Sequence, residues 1–424
     1  MGAMKTQTTR TAPAAGLTLG QGTALYVGAV LGTGVIALPA LAADEAGPAS
    51  LIAWVLMVIA SAPLAFTFAA LGARHPDAGG VAHYARLAFG HRASAVVGWC
   101  FYAAVPPGST VASLVAGYYV EGAVGGGRPV VVGTALVLTL VAAGVNWFGV
   151  RVSGRAQLAL TLLLVTFLLA AVVFALPGAD TAHLRPFAPN GWTAVGPAAA
   201  LLVWSFVGWE AITHLTGEFR DPARDLVRAT AVAVAVVGVI YLAVAVTVIL
   251  VLGPGAANSP APLGELLAAA FGGGARPLAA AAAVLLTLGA MNAYYAGAAK
   301  LGAALGRDGA LPAWLGRGSR AGEVPRRSLA VNLAGVLLVL AVVAVTGVDL
   351  NPVVLATNGL FVTVYAVGTA AALRLLEPGR ARAVAAAAAV TVVALLAATG
   401  VHLLWALLVA AAALTYGAGK SPHR

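Results

Sequence analysis

Charge is what this sequence has least of. Asp, Glu, Lys and Arg together make up 9% of its 424 residues, against about 25% in an ordinary soluble domain. So few charges cannot cover a water-soluble fold of this length, and a soluble enzyme is excluded. There is one cysteine, Cys100, so no internal disulfide can form; its apolar surroundings read as a structural thiol. Histidines number 7. Three of them, His75, His83 and His91, share one stretch at intervals too wide for close metal ligation, and the loop acids alternate with arginines, as in EFRDPARD. A membrane-embedded enzyme would need paired acids or clustered histidines, so neither catalytic residues nor a metal site nor a cofactor is expected. A channel would call for a ring of like charge or a repeated carbonyl filter, and neither pattern is present. The formal net charge of +10 would suggest nucleic acid in a soluble chain. In so apolar a chain it reads instead as basic loops on one side of a membrane, with no nucleic-acid partner.

Apolar residues are abundant, at 61%, and they come in long runs. About 20 such residues cross a bilayer. Twelve runs qualify, at roughly 17–43, 48–72, 94–121, 129–147, 152–177, 193–217, 228–253, 276–304, 328–346, 351–373, 382–399 and 401–418. The polar, basic start of the chain does not have the form of a cleaved signal peptide. With both termini placed in the cytoplasm, 21 of the 24 Lys and Arg residues lie on the inner side; Arg128, Arg185 and Arg276 are the exceptions. That asymmetry predicts an even number of spans and cytoplasmic ends. A short interfacial helix is expected within PDAGGVAHYARLAFG in the first long inner loop. The Gly-, Pro- and Ala-rich stretch 254–275 is expected to cover part of the outer face.

Two spans carry the marks of interrupted helices. In the first, Gly32-Thr33-Gly34-Val35 followed by Pro39 weakens the helix at mid-bilayer. Open backbone at that depth is tolerated only where it lines a cavity or protein interior; a flexible packing segment is the alternative. In the sixth, Trp204-Ser205-Phe206-Val207-Gly208-Trp209-Glu210 combines a mid-span glycine with an acid, and Glu210 is the one acid well inside a span. An ionisable group there is costly and marks a functional site by default. A Glu held neutral to brace opened backbone is the alternative. Spans one and six are five apart and run in opposite directions, the signature of an inverted repeat whose broken helices meet at midplane. His214 stands four residues after Glu210, on the same helix face, as a proton relay or a buried structural histidine.

These motifs resemble the amino acid–polyamine–organocation superfamily of transporters. The likeness rests on Gly32-Thr33-Gly34-Val35, on Phe206-Val207-Gly208-Trp209-Glu210, on PDAGGVAHYARLAFG and on Ala356-Thr357-Asn358-Gly359. Within the superfamily, the chain looks most like the bacterial methionine/branched-chain amino acid exporters. The resemblance implies an all-α integral membrane fold of 12 transmembrane helices: a LeuT-like 5+5 inverted repeat with discontinuous helices 1 and 6. The repeats would span about 17–177 and 193–373, with two extra helices at 382–418, all in one domain of the cell membrane. It implies that backbone of Gly32, Thr33 and Gly34, beside Val35, receives the substrate carboxylate. Backbone of Phe206, Val207 and Gly208 would face the amino group, and Trp204 would stand at an aromatic gate. A half-helix N-terminus suits a carboxylate and freed carbonyls suit an ammonium.

The sequence departs from some relatives in two ways. Leu164 stands where they carry a span-five lysine, and Leu288-Gly289-Ala290-Met291-Asn292 lacks a span-eight hydroxyl pair, though Thr287 is nearby. Sodium coupling is therefore disfavoured, and Glu210 and His214 are the candidates for proton coupling. The expected activity is efflux of methionine, leucine, isoleucine and valine coupled to protons. The alternatives are amino acid/proton uptake and amino acid exchange on the same fold. The oligomeric state is not legible.

Overall fold

A computed structural model describes residues 18–418, apart from 33, 77–78, 150–153, 211–212, 214–221, 258 and 320–322. The described residues form helices and turns, with no strand among them. The order is α1 (Leu19–Leu31), α2 (Gly34–Ala46), α3 (Ser50–Arg74), α4 (Gly80–Phe89), α5 (His91–Val124), α6 (Arg128–Trp147) and α7 (Gly154–Ala175). There follow α8 (Val195–Leu202), α9 (Pro222–Leu252), α10 (Pro262–Phe271), α11 (Arg276–Arg307), α12 (Arg326–Thr346), α13 (Leu350–Leu375), α14 (Arg380–Thr399) and α15 (Leu403–Ala418).

Among the described residues, nine stretches are long and apolar enough to cross a membrane. Two of them are too long for one crossing. The stretch Leu19–Arg74 has 56 residues and Arg380–Gly417 has 38, whereas a single crossing needs about 20. The apolar run 17–43 is thus two helices: α1 starts at a capping box between Thr18 and Gln21 and stops at Gly32, whose φ of +32° is outside helical geometry. The run 193–217 is not one long helix. Among its described residues, the apolar helix Trp192–Phe206 is shorter than a crossing, because α8 passes into a 3-10 turn at Val203–Phe206 and then into extended backbone at Val207. A short helix is present within PDAGGVAHYARLAFG, as α4. Stretch 254–275, read from sequence only as a loose cover, contains a helix, α10, that packs on α2, α7, α9 and α11.

Helix α5 is the hub, packed against α4, α6, α11, α12, α13 and α15. Ala104, Gly108, Ala112 and Ala116 recur every fourth residue along it, and all are buried. Small residues at that spacing let helices approach closely where lipid supplies no hydrophobic drive for association. Two of the three basic residues on the expected outer side have local partners. Arg128 donates to the carbonyls of Val343 and Ala344 at 2.7 and 3.0 Å, capping the end of α12, and Arg276 pairs with Glu265 at 3.0 Å.

Candidate functional site

Stopping a helix inside a membrane protein frees its last carbonyls, which must find other donors. At the first break those of Val30 and Leu31 are free, and the hydroxyl of Tyr241 on α9 lies 2.8 and 3.4 Å from them. The same hydroxyl is 2.6 Å from the carbonyl of Ser205 at the second break. One tyrosine therefore bridges both breaks. At the end of α8, Asn358 on α13 donates its amide to the carbonyls of Ala200 and Leu201 at 2.8 and 3.2 Å.

Below the second break lies Glu210, fully buried. One carboxyl oxygen, Oε2, accepts from the Gly208 N–H at 3.1 Å and from the Tyr365 hydroxyl at 2.6 Å. The other, Oε1, has no hydrogen-bond partner among the described residues. Thr213 donates its N–H to the Glu210 carbonyl at 3.0 Å. The side chain thus ties the kinked backbone of Gly208, with φ +127°, to α13.

The breaks touch one another. A Cβ on Gly34 would fall 2.9 Å from the Cα of Ser205, and one on Gly208 would fall 2.9 Å from the carbonyl oxygen of Ala29. Only glycine permits this approach, and at Gly208 only glycine readily takes the backbone angle.

Beside the breaks is a cavity of about 40 Å³. Gly32 and Gly34 line it from the first break, and Trp204 and Val207 from the second. Helix α5 contributes Gly108 and Ser109, α11 contributes Met291 and Tyr294, and α13 contributes Phe361. Among the described residues, no Asp, Glu, Lys, Arg or His is in its lining.

The structure therefore brings four of the sequence-predicted site residues to the cavity wall. Val35 does not reach it, being buried inside α2. Phe206 turns away, its ring packed edge-on to Trp54 and Tyr241 with centroids 6.4 and 5.2 Å apart. The Gly208 N–H is committed to Glu210, which is not among the residues that line the cavity. Thr33 and His214 lie outside the described residues. Leu164 is buried among apolar neighbours on α7, and Thr287 is buried on α11 away from the cavity lining.

Sequence reasoning missed Tyr241 and Tyr365 and gave Asn358 no role. The available signal was that each is a hydrogen-bonding side chain inside an otherwise apolar span. Tyr241 has a single O–H to share between the two breaks, so Tyr241→Phe should leave the carbonyl it serves without a buried donor, a loss of about 1–3 kcal/mol. A thermal unfolding series in detergent, wild type against variant, checks it: an unchanged midpoint would deny the tyrosine this bracing role.

Apposed helix breaks opening on an apolar cavity, deep among helices of membrane-spanning character, define a multi-pass membrane transporter rather than an enzyme. The chain belongs to the amino acid permease family, whose model matches residues 17–421. It is 31% identical over 402 residues to the L-methionine/branched-chain amino acid exporter YjeH of Escherichia coli, covering 93% of this chain and 94% of that one. It is also 31% identical over 359 residues to the uncharacterized amino acid permease YecA of Bacillus subtilis, covering 84% of each. Over 225 residues, 48% of each chain, it is 26% identical to the branched-chain amino acid permease BcaP of the same bacterium.

Proposed function

We propose that this protein exports neutral, largely apolar amino acids, methionine, leucine, isoleucine and valine among them, by alternating access coupled to protons. The observation that carries the reading is the cavity: mainly apolar walls, no charged side chain among the described residues that line it, and both breaks contributing to its wall. Burying a charged substrate side chain there without a partner would cost several kcal/mol. Backbone of Gly32, Thr33 and Gly34 serves the carboxylate and Val207 the amino group, with Trp204 as the neighbouring aromatic wall. Likeness to the exporter YjeH along nearly the whole chain supports both the substrate class and the direction.

The proposed architecture is 12 spans in one domain, with repeats at about 17–177 and 193–373 and both termini in the cytoplasm of the cell. In its support, helices that are five spans apart pack together: α3 on α9, α5 on α11, α6 on α12, and the first break on the second. That is the pairing expected around a pseudo-twofold axis.

Proteoliposomes loaded with radiolabelled methionine or leucine, under a pH gradient of either sign, test the function. Flux of both that follows the gradient is expected, with arginine and glutamate poorly carried. Arginine flux with an affinity matching that for leucine would overturn the substrate class, and gradient-driven accumulation without efflux would make the protein an uptake symporter.

A further inference from the structure

Helix α10 begins without a cap of its own. Its N-cap residue, Ala261, has no side-chain acceptor, and Pro262 at the first helical position has no N–H. The N–H of Leu263 is then the first of the helix that must find a partner outside it. It donates to the hydroxyl of Tyr119 on α5 at 3.1 Å. That hydroxyl donates its own hydrogen to the carbonyl of Ile36 on α2 at 2.8 Å. A phenol has one hydrogen to give and can also accept, so the two bonds form together. The ring packs on α10 as well: a Cβ on Gly264 would fall 3.9 Å from Cδ1 of Tyr119. Leu263, Leu266 and Leu267 anchor this helix in the core, all buried. Ala112 on α5 lines the cavity. Val115 and Tyr119 follow it on the same helix face, both buried, which puts Tyr119 about 10 Å further along α5.

Resting on the architecture and alternating access proposed above, we infer that Tyr119 is a positioning residue of the transport cycle, whose hydroxyl latches α2 and α10 together while the cavity is closed to the outside. In that architecture α5 and α2 both run outward from the cavity, and α10 belongs to the outer stretch 254–275. Tyr119 therefore stands between the cavity and the outer water. It ties the outer half of the first broken helix to the helix that covers it. A route outward between α5, α2 and α10 opens only by parting one of them from the others, which breaks one or both bonds of this hydroxyl. The bonds belong to the closed arrangement, so they weight the equilibrium between access states, as any interaction present in one state alone must. Tyr119 does this without lining the cavity.

Sided labelling tests this. Cys100, the single cysteine, is replaced by alanine, and Ala112→Cys places a reporter thiol in the cavity wall. A membrane-impermeant methanethiosulfonate is applied to right-side-out and to inside-out membrane vesicles. Tyr119→Phe should raise the rate of labelling from the outer face about tenfold, the worth of one to two neutral hydrogen bonds, with no rise from the inner face. Adding Ala261→Ser gives α10 a local cap. It should restore thermal stability but not protection from the outer reagent, and this double variant decides the matter should Tyr119→Phe alone fail to insert. Unchanged outer labelling overturns the latch. An equal rise from both faces overturns it too, since that is general loosening. Protection regained with Ala261→Ser would reduce Tyr119 to a helix cap. A rise confined to the inner face would overturn the proposed orientation and the outer latch with it. Methionine flux by the wild type, measured separately, keeps the transport reading distinct: its absence would fail that reading, whereas a failed latch leaves it standing.

Discussion

Gly34→Val should abolish amino acid binding while the protein still reaches the membrane. A side chain at residue 34 meets the other break: the added Cβ would sit 2.9 Å from both the Cα and the hydroxyl oxygen of Ser205. A contact with backbone cannot be relieved by a rotamer change, so the two breaks must separate. Separation would pull the Tyr241 hydroxyl from either Val30 or Ser205 and deform the cavity wall that Gly34 and Trp204 share. Overpacking alone typically destabilises by about 1–3 kcal/mol, within what a folded protein survives. Binding, which needs the two backbones in register, has no such margin. Gly133→Ala on α6 is the control, since a Cβ there meets nothing within 4 Å. Labelled methionine binding to purified, monodisperse protein makes the measurement. Wild-type binding by Gly34→Val would exclude this junction as the substrate site.

Glu210→Gln should retain substrate binding and lose the dependence of net flux on an imposed pH gradient. The hydrogen bonds explain why binding survives. Both donors to the carboxyl, Gly208 N–H and Tyr365 O–H, converge on one oxygen, and a glutamine carbonyl can accept both. Its NH₂ would then occupy the place of Oε1, which has no partner among the described residues. Glutamine thus reproduces the protonated acid in shape, in charge and in its hold on the break. What it cannot do is release a proton. Ionised Glu210 would hold Tyr365 and Gly208 more tightly, since hydrogen bonds to a charged acceptor are about twice as strong. A proton that changes how firmly the second break is tied to α13 can favour one access state over the other, and such differential binding is what coupling requires. Exchange of labelled for unlabelled leucine should persist in the variant. If instead its net flux tracks the gradient as wild type does, Glu210 is a permanently neutral brace and the proton is carried elsewhere. Glu210→Leu separates the brace from the titration: losing the acceptor strands the Gly208 N–H, and binding should weaken as well.

The sequence by itself determined the class of molecule. A 9% charged chain with apolar runs of bilayer length admits no water-soluble solution, and glycine pairs in mid-span mark where a helix is weak whatever surrounds it. Residues 32–34 and 204–210 were legible for that reason, as was Glu210, whose desolvation cost follows from its position in a span. The tertiary structure decided which groups at the breaks remain available. Backbone donors and acceptors freed by a break are claimed by whatever side chain the packing delivers. Tyr241, Asn358 and Tyr365 come from helices distant in sequence, so no local pattern announces them. Packing likewise turned Phe206 and Val35 away from the cavity and brought Ser109, Met291 and Phe361 to it. Which face of an almost uniformly apolar helix meets a cavity rather than lipid cannot be read from hydropathy, because in a membrane both faces are apolar; only the positions of the neighbouring helices distinguish them.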